Sequence, residues 1–280
     1  MKTKDKSKSI TYGDKLFTIN SLTDMNKVTR VTDKVAYLEK SMFKKLVKIT
    51  TISTLLISQP FTAWAGGPDT QDIFGVWGSV TLQGDFKALS PKLDKFKWQI
   101  MNQTRSRDDS SQGTRFSENL LFSQVGYQMN ENASFWIGYT HDWIDPLGKP
   151  SYQESRPYQD FLWNQTIGEF HLMARTRMEE RINQSTGDTG YRPRQLLQIS
   201  YPMPFDKDMS VYVGDEVFFY LTKNHFGKQG FSENRVLAGL SYQFTPQVGA
   251  DLGYLGQYVD TLSGNNIFTH NIQANIRYKF

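Results

Sequence analysis

The chain has 280 residues, a formal net charge of +4, 14% aromatic residues and no Cys. Without Cys, neither a disulfide framework nor a thiolate metal site is possible. The basicity is uneven: residues 1–65 hold 12 Lys/Arg against 5 Asp/Glu, while the remainder holds 20 against 23, a net of −3, which excludes nucleic acid as a partner of the body of the chain.

Mean hydropathy is −0.53. That argues against a bundle of membrane helices but not against a β-barrel, where half the side chains face away from lipid. The first segment, 1–41, is polar, Lys- and Thr-rich and without sustained period. It reads as an upstream extension or disordered leader. Segment 42–65 has the layout of a secretory signal peptide: Lys44, Lys45 and Lys48, then an apolar run over 49–57, then Ala63-Trp64-Ala65 before Gly66. The apolar run is too short to span a bilayer, which needs about 20 residues. Met42 opens this layout, so translation is expected to begin there, with cleavage between Ala65 and Gly66. Residues 66–280 form the mature domain.

From residue 72 on, segments of about a dozen residues alternate with turns, the period of strands. Segment 73–83 puts Phe74, Val76, Val80 and Leu82 on one side. Segment 96–106 puts Phe96, Trp98 and Ile100 against Lys97, Gln99, Gln103 and Arg105. Composition marks 107–114 as a loop. Strands follow over 116–129, 133–143 and 152–163, the last with Glu154, Arg156, Tyr158 and Asp160 in phase, and then a short turn over 164–167. Segment 168–182 is the most telling. Phe170, Leu172, Ala174, Met178 and Ile182 fall on one face, interrupted by Thr176 and Glu180; His171, Met173, Arg175, Arg177, Glu179 and Arg181 fall on the other. Further strands span 192–201 (Arg192, Arg194), 209–222 (Glu216), 231–244 (Glu233, Arg235), 248–258 (Asp251) and 267–280 (Arg277).

About eleven strands joined by hairpin-length links, with no helical period between them, exclude βαβ units. The predicted fold is all-β: an antiparallel transmembrane up-and-down β-barrel of about 10–12 strands. Links near 130, 165, 204 and 246 are short; those near 110, 147, 187, 226 and 263 are longer, the outer-membrane pattern of turns on one side and loops on the other. An even count is usual in bacterial barrels, so parity predicts either ten strands, with 73–83 outside the wall, or twelve. Mid-membrane Arg on the lipid face costs about 2–4 kcal/mol. A lumen network is therefore expected from Arg105, Glu154, Arg156, Asp160, His171, Arg175, Arg177, Glu179, Arg181, Arg192, Arg194, Glu216, Glu233, Arg235, Asp251 and Arg277. Such pairs plug a narrow barrel; surplus Arg near a mouth could instead take an anion. Trp136, Tyr139, Trp143, Trp163, Phe218, Phe219, Tyr220, Tyr254 and Tyr258 are expected in aromatic girdles.

Six runs carry a family resemblance: Phe74-Gly75-Val76-Trp77, Gly138-Tyr139, Glu154-Ser155-Arg156-Pro157-Tyr158-Gln159-Asp160, Arg175-Thr176-Arg177-Met178-Glu179-Glu180-Arg181, Gly214-Asp215-Glu216-Val217-Phe218-Phe219 and Asn234-Arg235-Val236-Leu237-Ala238-Gly239. Over about residues 72–280 the chain resembles the bacterial family catalogued as domain of unknown function 2490. The resemblance implies an outer-membrane β-barrel in a Gram-negative cell, and no particular activity. Ile276, Tyr278 and Phe280 look like the C-terminal signal read by the barrel assembly machinery. Expected partners are that machinery during biogenesis, and outer-membrane lipid and lipopolysaccharide afterwards.

No metal or cofactor is expected, because HExxH, GxSxG, phosphate-loop and calcium-loop motifs are missing. His141 follows the outward phase of Phe135, Ile137 and Tyr139, with no Ser seen on its immediate face; His225 sits in a loop and His270 points outward. The sequence thus predicts a non-enzymatic barrel, structural or a narrow channel. The alternatives are an outer-membrane enzyme acting on lipid or lipopolysaccharide and a secreted β-sandwich that binds a ligand.

Overall fold

The computed structural model describes residues 70–280, together with the backbone of two short strands near the start. The chain divides into Met1–Ala65 and Gly66–Phe280. In the first unit, β1 (Lys8–Tyr12) and β2 (Lys15–Ile19) pair antiparallel. The proposed signal segment, including Ala63, Ala65 and Gly66, lies outside the described residues.

The second unit is a closed barrel. Its strands are β3 (Thr70–Asp85), β4 (Phe96–Ser110), β5 (Gly113–Gln128), β6 (Ala133–Ile144), β7 (Tyr152–Ile167), β8 (Phe170–Asn183), β9 (Thr189–Met203), β10 (Asp206–Tyr220), β11 (Gly230–Gln243), β12 (Val248–Val259) and β13 (Asn266–Lys279). A 3₁₀ turn, Pro91–Leu93, lies between β3 and β4. Neighbours in sequence pair antiparallel, and β13 closes the wall on β3 in parallel, from Asn266 beside Thr70 to Lys279 beside Gln83. The count is therefore eleven, neither ten nor twelve. The parity argument fails because a parallel seam lets the first and last strands run the same way. Segment 73–83 is a wall strand after all.

The links at one end, over 129–132, 168–169, 204–205 and 244–247, are short. At the other end they run over 145–151, 184–188, 221–229 and 260–265. Two links depart from the expected alternation. The 107–114 loop shrinks to 111–112, because Gly113 takes φ +93° and Arg115 clasps Asp109 through Nε–Oδ1 at 2.8 Å and Nη2–Oδ2 at 3.0 Å. The longest link, over 86–95, sits at the short-turn end. Residues 164–167 continue β7, and the reversal falls at Gly168, φ +62°.

The barrel is inside-out relative to a water-soluble domain. Phe74, Ile137 and Leu252 are 64%, 63% and 61% exposed on the outer wall, while Glu154, Glu179 and Arg177 are 0%, 2% and 4% exposed inside. Aromatic rings gather where strands end, as in Phe96–Tyr127, Phe170–Tyr201 and Tyr278–Phe280 at the short-turn end and Phe231–Tyr258 at the loop end. Three of the expected girdle aromatics point inward instead. Trp136, Phe218 and Tyr220 share the phase of the charged residues, and Phe218 is 0% exposed.

Candidate functional site: an ionic lumen and a polar relay on the wall

Odd positions of β8 and even positions of β7, β9 and β10 face the lumen. Alternation alone therefore brings Arg175, Arg177, Glu179 and Arg181 level with Glu154, Asp160, Arg192, Arg194 and Glu216. The centre is a ring of alternating charge. Glu179 accepts from Arg192 Nε at 2.8 Å and from Arg194 Nη1 at 2.9 Å. Arg192 reaches Glu233 at 3.4 Å, and Glu233 accepts from Arg235 Nε at 2.5 Å. Arg235 lies 3.8 Å from Glu216, and Glu216 accepts from Arg194 Nη2 at 2.8 Å, which closes the circuit. Three Arg and three Glu cancel. The Phe218 ring faces all three guanidinium groups, at 5.0 Å from Arg192, 4.4 Å from Arg194 and 4.5 Å from Arg235, a geometry in which the negative ring face attracts cations.

Satellite pairs extend the ring. Arg181 grips Glu154 through two bonds of 2.9 and 2.7 Å and donates to the Tyr220 hydroxyl at 2.6 Å. Arg156 binds Glu154 at 2.8 Å and meets Asp142. Arg177 forks onto Asp160 with two bonds of 2.6 Å and lies over the Tyr158 ring. Arg105 donates to Glu118 at 2.6 Å and covers Trp77. Arg175 joins Glu216 at 2.7 Å. Charges this deeply buried are tolerated only when paired and hydrogen-bonded. Two glycines make room for the aromatic layer: an added Cβ would lie 2.2 Å from the Trp136 ring at Gly126 and 2.3 Å from the Tyr158 ring at Gly138. Toward the short-turn end the lumen widens into a cavity of about 300 Å³ that reaches Gln99, Gln124 and Gln273.

Three expected members stand apart. His171 shares the inward phase but lies exposed at the rim, bonded to Thr166 at 2.9 Å; it sits one residue into β8, beyond the reach of the ring. Asp251 and Arg277 bind each other, with Ser241 3.1 Å from Arg277, lower in the barrel. Asp142 and Glu118 were missed, although both are in inward phase. Asp142 hides in an aromatic strand, and Glu118 lies beside a register shift between Arg105 and Ser106. Among the described residues, no group of three His, Cys, Asp or Glu is placed to hold a metal ion.

On the outer wall, the sequence reading of His141 needs correction. Ser155 stands directly opposite it in the β6–β7 ladder. Cross-strand neighbours share a face, which a reading along one strand overlooks. Four bonds link five side chains: Gln184 Nε2 to Ser155 Oγ at 2.7 Å, Ser155 Oγ to the Tyr139 hydroxyl at 2.8 Å, that hydroxyl to His141 Nδ1 at 3.4 Å, and His141 Nε2 to Gln153 Oε1 at 2.9 Å. Trp143 packs against His141 with ring centroids 4.2 Å apart. A second outer His, His270, has Tyr254 at 2.8 Å and Asp72 at 3.5 Å.

The description Protein of unknown function (DUF2490) matches residues 74–268, which include every member of the ring and of the wall relay. The chain belongs to the DUF2490 family. A relative, an uncharacterized protein of Methylorubrum extorquens, is 27% identical over 166 residues, covering 58% of this chain and 72% of that protein. No solved structure matches the chain. Family membership assigns no activity, so what the barrel does must be argued from its geometry.

Proposed function

We propose that the protein is a bacterial outer-membrane barrel with a sealed lumen, exported by a cleaved signal peptide. On this reading it holds its loops and outer wall at the lipid interface rather than conducting solutes. The supporting observation is the closed Glu179–Arg192–Glu233–Arg235–Glu216–Arg194 circuit, whose six side chains are each less than a tenth exposed. A water-filled pore leaves its lining charges hydrated, whereas these charges satisfy one another across the section. The exposed apolar wall between aromatic belts fits a hydrocarbon layer flanked by interfaces. The closed ladder meets the demand that no backbone group be left unpaired in lipid. Export, lipopolysaccharide contact and insertion by the barrel assembly machinery follow from that location. No helix among the described residues is long and apolar enough to cross a membrane.

Planar-bilayer recording with the purified, detergent-extracted protein tests this. Insertion without steady conductance is expected in the intact chain. The combined Glu179→Ala, Arg192→Ala and Arg194→Ala variant should admit ions. Steady single-channel steps from the unaltered protein would refute the sealed lumen. Recovery in the soluble periplasmic fraction would refute the location.

A further inference from the structure

We propose that the outer wall carries an acyl-ester hydrolase site in which Ser155 is the nucleophile and Tyr139, His141 and Gln153 form its proton relay. The inference goes beyond the sealed-lumen reading and uses only that reading's lipid-facing wall.

One arrangement of protons turns the four bonds into a relay. Gln153 Oε1 is an acceptor, so His141 Nε2 must carry hydrogen. A neutral imidazole then leaves Nδ1 as an acceptor, and the Tyr139 hydroxyl donates to it. The Tyr139 oxygen is thereby free to accept from Ser155, whose own oxygen accepts from Gln184 Nε2. The result is a chain of donors leading away from the Ser155 hydroxyl and ending on a basic nitrogen, the arrangement that activates a weak hydroxyl nucleophile. The 3.4 Å Tyr139–His141 link is long, as catalytic bonds often are before substrate arrives. His270 forms the contrast. It too has a Tyr partner, but the group on its other nitrogen is Asp72, and no Ser bond joins that group.

Place and surroundings name the substrate class. Trp143, of the loop-end aromatic belt, packs on His141. The interface marked by such belts is where the ester carbonyls of membrane lipids lie, just beneath the head groups. A groove of about 510 Å³ begins at Trp143 and Gln153 and is lined by Phe116, Ile144 and Tyr152 together with Asn119, Asp145 and Ser151, a mixed surface on the loop side of the relay that suits the polar end of a lipid.

The chemistry balances as ester plus water to acid plus alcohol. Ser155 Oγ bonds to the ester carbonyl carbon while its proton passes to the Tyr139 oxygen and the Tyr139 proton passes to His141 Nδ1. The ester carbonyl oxygen takes the negative charge as its π bond opens, and Gln184 Nε2, 2.7 Å from Ser155 Oγ, is the nearby N–H that could donate to it. Collapse breaks the carbon–alkoxide bond, and the alcohol leaves with the proton returned along the relay. Water then attacks the acyl-serine, gives its proton to the same relay, and the fatty acid departs as Ser155 regains its hydrogen.

The test uses the folded, detergent-extracted protein, with heat-modifiable gel mobility as the check on fold. It is treated with an alkyl fluorophosphonate and mapped by mass spectrometry. Fatty-acid release is then measured from mixed micelles of a diacylphospholipid and, in a second arm, of purified lipopolysaccharide; the arm that responds identifies the source of the ester. Expected are labelling at Ser155, release from one lipid, and a loss of at least about a hundredfold in Ser155→Ala, His141→Gln and Tyr139→Phe, with His270→Gln unchanged. The proposal falls if the folded protein is unlabelled at Ser155, releases fatty acid from neither lipid, or loses nothing in Ser155→Ala. Conductance and fractionation score the sealed-lumen reading separately.

Discussion

Arg177→Met is the most direct perturbation of the plug. In the folded chain Arg177 presents Nε and Nη2 to the two oxygens of Asp160, each at 2.6 Å, with both residues under 5% exposed. Met keeps most of the stem's volume while removing the guanidinium, and with it both the Asp160 fork and the cation that lies over the Tyr158 ring. Asp160 is then left buried and without its fork. Breaking a buried pair by removing one partner costs about 3–5 kcal/mol, against a typical whole-domain stability of about 5–15 kcal/mol. The Arg177→Met, Asp160→Leu double variant should recover most of that loss, because replacing both partners with apolar groups is often neutral. Equilibrium urea unfolding of the parent, the two single variants and the double variant in lipid vesicles, followed by tryptophan fluorescence, gives all four free energies, and the heat-unfolding temperature should fall in step. The reasoning is refuted if Arg177→Met loses less than about 1 kcal/mol, or if the double variant is as unstable as the two single losses added together.

Gly138→Val puts a Cβ 2.3 Å from the Tyr158 ring and should cost about 1–3 kcal/mol by overpacking; Gly78→Ala, whose new Cβ would lie 4.0 Å from the Ala274 carbonyl oxygen, should melt like the parent. Leu252→Arg on the outer wall should lose about 2–4 kcal/mol in vesicles, while Gln273→Arg, on the inner face, should lose clearly less; equal losses would overturn the assignment of faces. Deleting Phe280, whose ring meets Trp98 and Tyr278 and whose N–H bonds Gln83 O at 3.0 Å, should slow appearance of the heat-modifiable form during assembly in the cell, and an unchanged time course would remove the signal role from that residue.

Much of this fold is legible in the sequence because β-barrel walls obey a period of two with strong contrast. The alternation of β8 alone separates Met178 and Ile182 from Arg177 and Glu179, and the structure places them on opposite faces. What the period cannot supply is anything that depends on two strands at once. Ser155 and His141 lie fourteen positions apart and meet only through the β6–β7 register. The alternating ring likewise needs the β8–β9–β10–β11 registers before Glu179 and Glu233 can be seen to share Arg192. Aromatic position misled for a different reason. Phe218 and Tyr220 stand near the end of β10 as belt residues do, yet their phase is that of Glu216. Parity failed because the direction of pairing between the first and last strands leaves no trace in either strand alone.

The burial of so many charges has a consequence for the specificity of folding. A barrel strand slipped by one residue exchanges its inner and outer faces along its whole length. On the outer-membrane reading proposed above, that slip would turn Arg175, Arg177 and Arg181 of β8 toward hydrocarbon. At about 2–4 kcal/mol for each residue at mid-depth, the penalty approaches the whole stability of a typical domain. A purely apolar lumen would carry no such penalty, since either face of each strand would suit lipid. The paired charges therefore add little net stability over a hydrophobic plug, but they make every misregistered closure far worse than the native one. That distinction bears most on the β13–β3 seam, where two parallel strands must find one alignment to shut the wall, and where Ser79 and Asn275 meet on the inner face at 2.7 Å.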